Sequence, residues 1–237
     1  MRVYLAVAVA FGLIGCAHQT EMTSQAISKS ADTNTAVEQK ALTPDAALEI
    51  LKAGQARFLA GESRVQDYPK QVSVTGAGQY PFATILSCID SRTAPEVLFD
   101  LALGDAFAPR IAGNIVNEDI LGSMEFASKL AGSKVIVVLG HTHCGAVKGA
   151  CDDAQLGNLT GLLGKIRPAV DATASVNGAD RSSKNGVFVD AAAHTNVMQT
   201  VENIRQKSPV LKEMEQNGEI KIVGAMYDIE TGKVEFL

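Results

Sequence analysis

From residue 82 onward, short apolar runs alternate with stretches of helical period. Residues 82–87 (FATILS) and 135–139 (VIVVL) are the two most continuous runs. The second is mostly β-branched and wholly apolar, the pattern of a strand buried on both faces. Residues 220–226 form a third run, 105–112 contain a further strand, and a turn at Glu230, Thr231 and Gly232 precedes an edge strand. Helical spacing covers 95–103, 120–130, 158–172, 190–207 and 209–217, with a polar stretch at 175–186. On 120–130, Leu121, Met124, Ala127 and Ser128 share one side. Strands alternating with helices predict an α/β fold, a mainly parallel central sheet flanked by helices.

An extending N-terminal helix precedes the sheet at 44–60. Thr43 suits the cap, Pro44 suits the first helical position, where a missing N–H costs nothing, and Gly61 suits the end. Leu48, Leu51, Phe58 and Leu59 lie near one face. Further upstream, Arg2 precedes an apolar run over 3–14. Twelve residues rise about 18 Å, short of a bilayer core of about 30 Å, so 1–15 is expected to be a secretory signal peptide. Leu13-Ile14-Gly15-Cys16 resembles the bacterial lipobox, in which Cys16 would be lipidated and become the mature N-terminus. The plainer alternative is cleavage near Ala17. Ala17, where an Asp would favour inner-membrane retention, points to an outer-membrane lipoprotein facing the periplasm. Residues 16–42, rich in Thr, Ser, Ala and Gln, are expected to be the lipidated start and a flexible tether, leaving 43–237 as the folded domain.

Composition narrows the field. Hydrophobic residues make up 46% and charged residues 20%, enough apolar material for a core and too much for disorder throughout. The net charge of −5 without a basic block argues against a nucleic-acid partner. Four cysteines in 237 residues are too few for a disulfide scaffold.

Their positions carry more. Cys88 follows the strand at 82–87 directly, and His141 follows that at 135–139 after one glycine. In open parallel sheets, ligand sites form beyond the carboxyl ends of strands. His141 and Cys144 are three apart, close enough to face one ion across a turn or helix start. Cys88, His141 and Cys144 make a Cys₂His set that suits zinc, and three protein ligands leave a catalytic position open. Taken singly, each residue is more often simply buried. A structural zinc would more usually show paired C-x-x-C motifs, which this chain lacks. Asp90, two residues after Cys88, could lie beside the metal, and Arg92 could hold it through a bidentate ion pair. Cys151, beside Asp152 and Asp153, is expected to be a free thiol. His194 is expected to be structural or on the surface.

The segments CIDSR (88–92) and HTHCG (141–145) resemble the two zinc motifs of the β-class carbonic anhydrases. GDAFAPRIAGN (104–114), SMEF (123–126) and GAMYDIETGKVEF (224–236) resemble further stretches of that family, and the similarity runs over roughly residues 45–237. It implies the β-carbonic anhydrase fold and reversible hydration of CO₂ to bicarbonate, by attack of zinc-bound hydroxide with an Asp90–Arg92 dyad. Cys88, His141 and Cys144 would bind one Zn²⁺ per subunit. Asp90 could instead be a fourth ligand in a closed state. Gln79, Phe107, Ala112 and Gly145 would contribute to substrate binding, while Phe126 stands where one subgroup has a pocket tyrosine. Arg110 matches an arginine of a regulatory bicarbonate site in another subgroup, whose tryptophan is replaced here by Ile85. The resemblance also implies a homodimer or tetramer with the active site near the subunit boundary. Two alternatives remain at this stage: a CS₂ or COS hydrolase of the same fold, and a zinc-stabilised non-catalytic envelope lipoprotein.

Overall fold

The computed structural model describes residues 32–175 and 180–237. The signal peptide, Cys16 and the tether up to residue 31 lie outside them. The described chain opens on a short helix, α1 (Ala36–Ala41), closed at its start by reciprocal hydrogen bonds between Thr35 and Glu38. The end of the segment expected to be a tether is therefore docked. Asn34 Nδ2 donates to the Tyr80 carbonyl at 2.8 Å, and Gln39 Nε2 donates to the carbonyls of Pro81 at 2.7 Å and Ala131 at 2.6 Å. Six helical residues with no buried side chain have no periodicity to read; long-range hydrogen bonds do the ordering.

Helix α2 (Pro44–Ala60) forms as its caps predict, with the Thr43 side chain accepting from Ala46 N–H and Gly61 in the left-handed conformation. It buries Ala47, Leu48 and Leu51, whereas Leu59 lies outside the stripe and is exposed. Helix α3 (Tyr68–Thr75), capped by Asp67, escapes the hydrophobic pattern because Gln71 is its one buried side chain. Then come β1 (Ala83–Ser87), α4 (Pro95–Leu98) and β2 (Ala106–Phe107). The expected helix over 95–103 stops early. Asp100 takes a left-handed φ of 50°, and its buried carboxylate accepts from Arg57 Nε at 2.6 Å, Arg64 Nε at 3.1 Å and Arg64 N–H at 3.0 Å. A tight 3₁₀ turn at Ala112–Asn114 leads to α5 (Glu118–Glu125), which widens into a π turn at Phe126–Leu130. The remaining elements are β3 (Val135–His141), α6 (Gly145–Cys151), α7 (Gly157–Ala172), α8 (Gly186–Lys207), α9 (Pro209–Gln216), β4 (Lys221–Tyr227) and β5 (Val234–Phe236). Helix α8 starts four residues before its expected position because Asn185 caps the Phe188 N–H.

The sheet runs β2-β1-β3-β4-β5, parallel except for β5. Every residue of β1 and β3 is buried, as their unbroken apolar runs require. One face packs Ile85, Val137 and Leu139 against Leu51 and Phe99; the other packs Leu86, Ile136 and Val138 against Val197, Ile204 and Leu211. A third cluster lies beyond the strand ends under α6, α7 and α8, where Cys88 and Cys144 sit among Val147, Leu163, Ile166 and Phe188.

Candidate metal centre

Strands β1 and β3 pair in parallel with Ser87 level with Leu139. Cys88, the next residue after β1, and His141, the last of β3, are thus brought to neighbouring strand tips. Gly140 makes the close packing there feasible: a Cβ at this position would stand 2.4 Å from Val197 Cγ2 and 2.9 Å from Met226 Sδ. The chain then turns through Thr142 and His143, and Cys144 sits at the start of α6, where the positive end of the helix favours a thiolate.

The ligand atoms of Cys88, His141 and Cys144 lie within 4.8 Å of one another. All three residues are buried. His141 Nδ1–H donates to the Thr142 carbonyl at 2.8 Å, which leaves the Nε2 lone pair free. That nitrogen is buried and has no hydrogen-bond partner. Leaving such a group unpartnered costs about 1–3 kcal/mol, and a divalent ion facing the two sulfurs would satisfy it. Soft sulfur donors and an imidazole fit zinc. The two sulfurs interact strongly. The Cys144 thiol, as donor, pulls Cys88 well below the usual thiol range against the opposing effect of burial, and the Cys88 sulfur together with burial pushes Cys144 up. Gly113 N–H points at Cys88 Sγ at 3.4 Å. Its backbone has φ 69°, and a Cβ would stand 2.4 Å from Ile166 Cδ1, so only glycine suits the position.

Asp90 sits beside the trio, on the Cys88 loop. Its carboxylate accepts from Arg92 Nε at 2.9 Å, Arg92 Nη2 at 2.8 Å and Arg92 N–H at 3.0 Å. This bidentate grip holds the carboxyl far below the ordinary carboxylate range, with burial opposing. In this structure Asp90 is engaged by Arg92 and is not among the three grouped residues. The loop backbone is clamped by two residues for which sequence reasoning found no such role. Arg110 Nε donates to the Cys88 carbonyl at 2.9 Å and Nη2 to the Asp90 carbonyl at 2.6 Å, while Thr93 Oγ1 lies 3.1 Å and 2.9 Å from the same two carbonyls. For Arg110 the signal was its place in a family motif; for Thr93 there was none.

The expected substrate residues divide. Ala112 opens the 3₁₀ turn whose next residue faces Cys88, and Gly145 follows Cys144 as the first residue of α6. Gln79 instead lines a shallow hollow with Thr75, Gly78 and Gly104. Phe107 lines another, of about 730 Å³, with Pro109, Gly122 and Phe126, its ring 6.1 Å from that of Phe126. The trio lines neither. The register explains the separation: Phe107 is level with Thr84 and Gln79 precedes β1, whereas Cys88 lies past its other end. Cys151, half-buried at the end of α6, is outside the trio, and burial raises its thiol pKa. His143 takes a left-handed φ of 56° and places Nε2 3.3 Å from Glu230 Oε1. His194 is exposed on α8.

The family model described as "Carbonic anhydrase" matches residues 83–234. The chain is 37% identical over 195 residues to carbonic anhydrase 2 of Mycobacterium tuberculosis, covering 80% of this chain and 91% of that protein. A β-carbonic anhydrase structure from Aspergillus fumigatus aligns with a TM-score of 0.63 at 28% identity, over 81% of this chain and 89% of that one. The Coccomyxa β-carbonic anhydrase in complex with acetazolamide aligns with a TM-score of 0.62 at 26% identity, over 71% and 77% of the two chains.

The trio predicts about one zinc per purified chain. Elemental analysis should find it in the wild type and find less than about a tenth of it in Cys144→Ser, because removing one of three ligands opens the site. Equal zinc in both proteins would show that the metal sits elsewhere.

Proposed function

The chain belongs to the carbonic anhydrase family, in its β class, and we propose from that premise that Asp90 and Arg92 are the working pair of its CO₂ hydration chemistry. One observation carries this reading. An ionised carboxylate, gripped on both oxygens by one guanidinium, lies beside a buried sulfur–imidazole–sulfur group whose ring nitrogen is otherwise unpartnered. A site that held metal for folding alone would not need an oriented acid next to it.

Cys88, His141 and Cys144 would hold the zinc. When bound, the zinc would supply hydroxide at neutral pH by lowering the pKa of water to about 7 in the best-known case. Asp90, ionised and acceptor-only, would accept a hydrogen bond from the nucleophile's O–H through a remaining lone pair and so keep that oxygen's own lone pair directed at carbon. Arg92 keeps Asp90 charged and fixes its direction. The hydrogen bond from Nδ1–H to the Thr142 carbonyl holds His141 in the tautomer whose Nε2 is free to ligate. CO₂ is apolar and uncharged, so what it needs is room beside these groups rather than a counter-charge.

We also propose the setting. Residues 1–16 support an exported lipoprotein, anchored at Cys16 to the outer membrane and facing the periplasm. Among the described residues no helix is long and apolar enough to cross a membrane. A homodimer or tetramer is supported by an exposed apolar side chain at the β2 edge, Phe126, which lies beside Phe107 and is 51% exposed. Gln79 and Phe107, remote from the trio in one chain, would then meet the metal centre of a neighbour.

Asp90→Ala should lower CO₂-hydration turnover by about a hundredfold or more while zinc content stays at the wild-type level; loss of zinc would mean that Asp90 is a ligand. CO₂ hydration and CS₂ hydrolysis measured side by side should favour CO₂, and the opposite preference would move the enzyme to the hydrolases of this fold. Cys16→Ser should abolish labelling by radioactive palmitate; an unlabelled wild type contradicts the anchor. Light scattering of the zinc-loaded protein should give the mass of two or four chains, and a monomer contradicts the shared site.

A further inference from the structure

The trio comes from two loops, one after β1 and one after β3. The same helix reaches both. We infer that α8 is the brace of the metal centre, with Asp190 and Asn196 as its two positioning residues. The inference rests on the zinc reading above.

Asp190 Oδ1 accepts the backbone N–H of His143 at 2.7 Å. His143 stands between the ligands His141 and Cys144 and has a left-handed φ of 56°. A non-glycine residue in that conformation persists only where its surroundings hold it. Asp190 is 47 positions away in the chain, so this is a tertiary tie and not a local turn. The other side of the same loop is held by the sheet: Thr142 N–H donates to the Tyr227 carbonyl at 3.0 Å, and Ile229 N–H donates to Thr142 Oγ1 at 3.1 Å.

Asn196 is 3% exposed. Its Nδ2 donates to the Gly113 carbonyl at 2.7 Å across 83 positions. The N–H of the same glycine faces Cys88 Sγ at 3.4 Å. The two groups belong to successive peptide units joined at Gly113, which is wedged against Ile166 with no room for a Cβ. Asn196 thereby sets the direction of an N–H···S contact that it does not itself make.

The brace is stiff where it must be. Val189 beside Asp190 and Val197 beside Asn196 are fully buried, and Val197 packs on the sheet with Val201 and Ile204. One rigid element thus fixes the spacing between the Cys88 loop and the His141–Cys144 loop. Groups hydrogen-bonded directly to a metal's ligands commonly change its affinity 10–100-fold when mutated; Asp190 and Asn196 act one step beyond them, through His143 and Gly113, so the lower end of that range is expected.

The test uses the zinc-loaded protein and its cobalt-substituted form. The readouts are the rate of zinc release into excess EDTA and the thiolate-to-cobalt charge-transfer absorption. Asp190→Ala and Asn196→Ala should each release zinc about tenfold or more faster than wild type and alter the charge-transfer bands. Asp190→Asn, which keeps an acceptor oxygen, should stay close to wild type. Asn196→Asp, the same shape without the donor, reports the same loss if Asn196→Ala does not fold. Leu48→Ala, a core change in α2 in a different cluster from α8, controls for general loosening and should leave release unchanged. The inference is overturned if the Asp190 and Asn196 variants release zinc within about twofold of wild type, if Asp190→Asn is as fast as Asp190→Ala, or if Leu48→Ala accelerates release equally. A wild type that takes up no zinc would instead overturn the metal reading, and the brace with it.

Discussion

The register of two parallel strands decides where the chemistry lies. Because Ser87 is level with Leu139, the residues just beyond each strand, Cys88 and His141, arrive at one spot, and a single turn returns Cys144 to it. What meets there is poorly suited to an empty interior. Two buried sulfurs face each other, and an imidazole nitrogen has no hydrogen-bond partner. Apolar side chains from α6, α7 and α8 pack against the group. A buried polar arrangement left unsatisfied is costly, and a cation facing the two sulfurs and the ring nitrogen would complete this one.

The Asp90–Arg92 pair follows a different logic. Arg92 is half exposed, so the attraction is screened and adds little to stability. Its value lies in orientation. Two contacts from the guanidinium and one from the Arg92 backbone hold the carboxylate, while Arg110 and Thr93 hold the carbonyls of the loop that carries it. A site can thus combine ligands fixed by deep burial with an acid fixed by a web of hydrogen bonds near the surface. In the proposed reaction, preorganisation of this kind would remove the need to reorder groups.

Much of this was legible in the sequence where burial leaves a pattern. The unbroken apolar runs of β1 and β3, the caps of α2, Cys88 and His141 at strand ends and Cys144 three residues after His141 all have local signatures. Helices α3 and α6 did not. Gln71 is the one buried side chain of α3, and α6 is a seven-residue glycine- and alanine-rich turn with no stripe to detect. The docking of α1 rests on Gln39 reaching carbonyls 42 and 92 positions away, which no local pattern encodes. The same holds for Asp190 and Asn196, whose partners lie far off in the chain. Gln79 and Phe107 were identified by resemblance alone, and the register places both toward the other end of β1 from the trio.

The central claim, that two thiolates and one imidazole grip one zinc with a position left for solvent, is tested most directly by zinc K-edge X-ray absorption on the purified protein. The account predicts two sulfur scatterers at about 2.3 Å, one imidazole nitrogen at about 2.0–2.1 Å and one further light atom. A shell of four sulfurs, or one of nitrogen and oxygen alone, would contradict it.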